Sequence, residues 1–153
     1  MISLDQTDLK ILNLLQKDAK QTHKGIADQV NLSVTAVYER IKKMEKNQII
    51  KAHTIEIDHK LLERNFMVLC HVKLIHHKQD MINDFEKQVK NLDEVLECFH
   101  VSGDYDYILK VFVKDMDAFR EFMVKKLTNL NHIGSTHSSF VINQVKNSRI
   151  HEL

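Results

Sequence analysis

The stretch from His100 to Val113 constrains the fold of this chain more than any other. Gly103 is one of only three glycines in 153 residues, and proline is absent. A glycine between Ser102 and Asp104 therefore marks a backbone position that needs positive φ or a close approach. On either side lie Val95-Leu96-Glu97-Cys98-Phe99-His100-Val101 and Tyr107-Ile108-Leu109-Lys110-Val111-Phe112-Val113, both rich in β-branched and aromatic residues. They predict two strands meeting at the turn Ser102-Gly103-Asp104-Tyr105-Asp106. Everything after residue 60 can be arranged around that hairpin, and everything before it reads as a separate, more basic helical unit.

The later part has a regular order. Phe66 to Ile75 alternates as a strand, with Val68, Cys70, Val72 and Leu74 on one face and Met67, Leu69, His71 and Lys73 on the other. Gln79 to Leu92 predicts a helix turning Ile82, Phe85 and Val89 inward. Asp115 caps a second helix that buries Met116, Phe119, Met123 and Leu127, and Ile133-Gly134 opens a last strand running through Val145. The order βαββαβ predicts a ferredoxin-like α+β sandwich, two helices on a four-stranded antiparallel sheet. The face without helices should carry Met67, Leu69, His71, either Phe99 or Cys98, and either Leu109 or Ile108. That surface is too apolar to stay wet, so a two-fold dimer packed sheet to sheet is expected.

The first fifty residues read as three helices. Asp5 caps the first, Asp8 sits well against the helix dipole, and Leu4 with Leu9 has the spacing of a hydrophobic staple. Thr22 caps a second, short helix, which Asn31 ends in the left-handed conformation. Ser33 then caps a third, in which Val34, Val37, Ile41 and Met44 form the buried face. Two helices joined by so short a turn make a helix-turn-helix. From Arg40 to Lys51 five basic residues face Glu45 alone, beside a helix start carrying small and hydroxylic residues. A third helix of that kind suits the major groove of double-stranded DNA. Thr35, Ala36, Tyr38 and Glu39 are placed for base edges and Lys42, Lys43 and Lys46 for phosphates, with Arg40 on the same face and Ser33 at the helix start completing the DNA-contacting set.

Domain boundaries follow: residues 1–50 a winged helix-turn-helix domain, 51–64 an extended linker, 65–153 the sandwich. The linker alternates from Ile49 to Asp58 and is neither glycine-rich nor proline-rich, so it is expected to be a strand pairing with its own copy in a dimer. Residues 1–52 hold nine Lys/Arg against six Asp/Glu, whereas the rest holds thirteen against fifteen, which puts the basic surface on the helical unit. No signal peptide and no apolar run of membrane-spanning length is visible, and the two cysteines sit within apolar strands, so a reduced, cytoplasmic protein is expected.

Other chemistries are poorly served. His76 and His77 point to opposite sides of an extended segment, and Cys98 with His100 lacks two further ligands at recognisable spacing, so no metal and no cofactor is expected. Nucleophile elbow, P-loop, dinucleotide fingerprint and H-E-x-x-H helix are all absent, which argues against an enzyme. A ferredoxin-like small-molecule-binding enzyme or regulatory subunit and an effector-independent DNA-organising protein are the competing readings.

Several motifs together resemble the Lrp/AsnC family of feast/famine transcription regulators. They are Leu4-Asp5 with Asp8, Ile11 and Leu12; Ile26-Ala27; Leu32-Ser33; Val37 with Arg40-Ile41; Met44-Glu45; Ile49-Ile50; and Val101-Ser102-Gly103-Asp104-Tyr105-Asp106-Tyr107. The resemblance implies a C-terminal domain that senses a free amino acid and assembles dimers and often octamers. It also implies an effector site at Gly103, Asp104, Tyr105 and Asp106 with Thr136 and Ser138, where turn N–H groups hold a carboxylate and an aspartate with hydroxyls holds an ammonium. The chain departs from the family at Gln48 and Asn31, where glycine is usual, and at Gly25, where glutamate is common; Asn31 and Asn47 are expected to supply the left-handed caps.

Overall fold

A computed structural model describes residues 3–59 and 61–148, so the last five residues of the expected C-terminal domain lie outside it. The chain divides into two compact units, one reaching to Glu56 and including the described residues from Val145 on, the other spanning Ile57–Gln144.

The first unit holds α1 (Gln6–Lys17), α2 (His23–Val30) and α3 (Val34–Lys46). Each start is fixed by its own side chain. Asp5 Oδ1 accepts the Asp8 N–H at 2.8 Å while Asp8 Oδ2 accepts the Asp5 N–H at 3.1 Å, a reciprocal capping box. Thr22 accepts from Gly25 at 3.0 Å and Ser33 from Ala36 at 3.1 Å. Asn31 takes φ 54°, ending α2 so that α3 can start within three residues. The core is Ile11, Leu12, Ile26, Ala27, Val37, Ile41 and Met44. Val34, expected inside, is 47% exposed, because at the first position of α3 it precedes the turn that packs.

The end of α3 differs from expectation. Asn47 is not left-handed (φ −93°); Gln48 is, at φ 59°. The Gln48 N–H reaches Glu45 O at 3.0 Å and the Ile49 N–H reaches Met44 O at 2.9 Å, the two bonds of a Schellman motif. Gln48 thus carries the steric cost of a Cβ at a position suited to glycine. Gln48→Gly is expected to stabilise this unit by about 0.5–1 kcal/mol, read as a raised denaturation midpoint. The expected strand over 49–58 is not formed within one chain, and no wing strand follows α3 among the described residues of this unit. A lone segment with no neighbour to complete its ladder has no strand to form.

The second unit contains β1 (Phe66–Leu74), α4 (Gln79–Val89), β2 (Val95–His100), β3 (Tyr107–Val113), α5 (Met116–Lys125), a 3-10 turn (Leu127–Asn129) and β4 (Ile133–Phe140). The sheet order is β2-β3-β1-β4 with every pairing antiparallel. Val68, Cys70, Val72 and Leu74 pack with Leu109, Val111, Phe85, Val89, Phe119, Phe122 and Leu127. Of the expected stripe of α5, Phe119 and Leu127 are buried and Met123 packs against the core, while Met116, at the first position of the helix, is 50% exposed; Phe122 is buried in addition. β4 stops at Phe140 rather than running to Val145.

Register decides which residues the open face carries. Cys98 pairs with Leu109 and Phe99 with Ile108. Leu109 is fully buried beneath the helices, so Cys98 shares the helix side, and Phe99 and Ile108 join Met67, Leu69 and His71 on the open side.

Candidate functional site

On α3, Thr35, Tyr38, Glu39 and Lys42 fall at i, i+3, i+4 and i+7 and share one exposed stripe. Lys43 and Lys46 are exposed beside it, and Ala36 is half-buried. Lys42 Nζ lies 3.2 Å from the Tyr38 hydroxyl and 5.3 Å from its ring centre. That hydrogen bond, with the attraction of the phenol and of Glu39, raises the Lys42 pKa, so its charge is secure. The Ser33 hydroxyl is occupied as the helix cap.

Arg40, expected among the DNA contacts, is engaged by two carboxylates. Its Nη1 bridges Asp5 Oδ2 at 2.7 Å and Asp8 Oδ1 at 2.6 Å, and Asp8 is buried. The Asp8 N–H and the Arg40 guanidinium hold the Asp5 carboxyl below the usual carboxylate range. Arg40 therefore ties α3 to the start of α1 and sets the angle at which the exposed stripe is presented. Arg40→Ala is expected to cost about 2 kcal/mol of stability, between an exposed pair and a buried one, and a thermal melt measures it.

The second set of residues gathers at one end of the sheet. Gly103 takes φ 129° with open space where a side chain would stand, so its conformation requires glycine and its packing does not. The turn is closed by the Val101 N–H on Asp106 O at 2.9 Å. Asp106 is its anchor. Its N–H reaches Val72 O at 2.9 Å, its Oδ2 accepts the Leu74 N–H at 2.8 Å, and its Oδ1 meets His77 Nε2 at 2.8 Å. Burial works to raise the Asp106 pKa, but the Leu74 N–H and His77 outweigh it and the net direction is downward.

Thr136 pairs with Val72 from the opposite side of β1, so the turn and the start of β4 flank the same strand end. Beyond it, Ser138 faces Cys70, with the two side-chain heteroatoms 3.9 Å apart. Tyr105 lies on the other face, its ring centre 5.2 Å from that of His71 and 6.2 Å from that of His137. Of the six expected effector residues, then, Gly103 and Asp104 form an exposed tip and Asp106 is committed to the scaffold. Thr136 and Ser138 are on the helix side, and Tyr105 is on the open side. His77 was not foreseen, and neither was His132, whose Nε2 meets Asp84 Oδ2 at 3.1 Å just before β4.

A helix-turn-helix with an exposed basic third helix, joined to a ferredoxin-like unit whose glycine turn is pinned to the end of the inner strand β1, defines a DNA-binding regulator with a separate ligand-binding domain. Comparison with known proteins identifies the group. Residues 4–51 match the winged helix-turn-helix DNA-binding family and residues 67–150 the Lrp/AsnC ligand binding domain. Leucine-responsive regulatory protein from Haemophilus influenzae is 34% identical over 144 residues, 94% of this chain and 87% of that one. Its counterpart in Escherichia coli K12 is 34% identical over 145 residues, 95% and 88%. Among solved structures, a Neisseria meningitidis transcriptional regulator in complex with L-Met has a TM-score of 0.91 at 29% identity, covering 97% of this chain and 96% of that one. An AsnC family regulator from Agrobacterium tumefaciens has a TM-score of 0.90 at 29% identity, covering 95% of each. The chain belongs to the Lrp/AsnC family of transcription regulators. No helix among the described residues is long and apolar enough to cross a membrane.

Proposed function

We propose that α3 reads double-stranded DNA through Thr35, Tyr38, Glu39 and Lys42 while Lys43 and Lys46 contact phosphates, and that the second unit binds a free amino acid beside the Gly103 turn. The protein acts as a cytoplasmic regulator and not as an enzyme. Its open sheet face, with Met67, Leu69, Phe99 and Ile108, is covered by a second copy, and dimers associate further, up to octamers. Asp104, Thr136 and the N–H groups of the turn contact the effector, and Asp106 holds the turn in shape.

The observation that carries this reading is the position of the turn. A glycine tip is pinned by Asp106 to the end of β1, whose other side pairs with Thr136, so N–H donors and a hydroxyl flank one strand end. The Neisseria relative, in complex with L-Met, supports an amino acid as the ligand class. A thermal-shift screen of the twenty amino acids tests it, because a ligand bound only by the folded form raises the melting temperature. At least one is expected to do so, and Asp104→Ala and Thr136→Ala should blunt that shift. A screen in which none of the twenty stabilises the protein overturns the effector reading and leaves a regulator that organises DNA without one.

A further inference from the structure

Tyr38 is the one aromatic side chain on the exposed stripe of α3, and its ring is held from two directions. From its own helix, Lys42 Nζ approaches the hydroxyl at 3.2 Å. From α2, the ring of His23 meets it edge-on, with centres 5.6 Å apart and planes at 63°. Edge-to-face contact at this distance is a favourable geometry for aromatic rings, and His23 is the first residue of α2, an element fixed by its own cap and core. A tyrosine 41% exposed on an isolated helix would sample several rotamers; here a neighbouring helix sets one.

The polarity of the pair is also fixed. An ammonium is a donor only, so the Tyr38 oxygen accepts from Lys42 and its own O–H is left to donate elsewhere. The remaining Lys42 N–H groups are donors as well. The Tyr38–Lys42 tip therefore presents donors and little acceptor capacity. In the major groove, guanine offers two adjacent acceptors, N7 and O6, whereas adenine and cytosine each present an amino donor.

We propose that Tyr38 and Lys42 together read a guanine in each half-site, and that His23 is the positioning residue that sets the Tyr38 ring for it. This rests on α3 being the DNA-contacting helix. His23 acts through Tyr38, so its loss changes the preference at one base pair and leaves the others as they were.

The test selects duplexes from a random double-stranded DNA library with the full chain. It then measures affinity for the selected duplex and each single base-pair replacement, for wild type, Tyr38→Phe, His23→Ala and His23→Phe. A G·C pair is expected whose replacement weakens the wild type about tenfold. In Tyr38→Phe and His23→Ala that penalty falls below about threefold, the scale of a lost donor or a loosened ring. His23→Phe, which keeps a ring edge, restores it, and 7-deazaguanine at that position reproduces much of the wild-type penalty. The proposal is overturned if no such G·C pair is selected, if both variants keep the wild-type profile, or if His23→Ala weakens every position equally. Lys43→Ala and Lys46→Ala separate the two levels: if neither alters binding to any duplex, the reading of α3 itself fails. If both weaken binding while the Tyr38→Phe and His23→Ala profiles match wild type, only the guanine assignment fails.

Discussion

Truncation after Asp58 is expected to lower affinity for a duplex with two half-sites by about 100-fold or more. The fragment keeps the whole helix-turn-helix core, from Ile11 to Met44, and so keeps the contacts of one half-site. It loses the unit whose open face, with Met67, Leu69, Phe99 and Ile108, is proposed to pair two copies. Once one half-site is bound, the second binding event in the intact protein is intramolecular, at an effective concentration far above that of free protein. A fragment that bound as tightly as the full chain would show that assembly contributes nothing, and the proposed division of labour between the two units would have to be abandoned.

Asp106→Ala is expected to destabilise the second unit by about 2–3 kcal/mol, because it leaves the Leu74 N–H without its partner and releases His77 from the turn. Chemical denaturation followed by circular dichroism measures it. The pH dependence has a definite sign. Asp106 is lowered in the folded state, so its contribution is fully present above the unfolded carboxylate value of about 4 and is lost as pH falls through the lower folded value. Wild type should therefore approach the variant in stability on acidification, and the gap should be widest near neutrality.

What could be read from the sequence was what is local. Asp5, Thr22, Ser33 and Asp115 cap the helices expected of them, because a cap is a bond between residues three apart. The strand faces of β1 followed from alternation alone. Contacts that cross the chain were hidden. Arg40 read as one more charge in a basic run, yet its partners Asp5 and Asp8 lie 35 and 32 residues earlier. His77 read only as one of two adjacent histidines on an extended segment, yet the fold brings it to Asp106, 29 residues on. The open-face choice between Cys98 and Phe99 depended on how β2 registers on β3, and an irregularity between Val95 and Glu97 shifts that register. His23 gave no signal at all, since only the angle between α2 and α3 sets it against Tyr38.

The account rests on α3 as the reader of DNA, and the most direct measurement is fluorescence anisotropy of the full chain on its selected duplex and on a scrambled duplex across a salt series. With Lys43 and Lys46 of two protomers neutralising about four phosphates, affinity for the selected duplex should fall about 100-fold between roughly 50 and 200 mM salt. At every salt concentration it should exceed affinity for the scrambled duplex. Equal affinity for both duplexes, with little dependence on salt, would contradict the account.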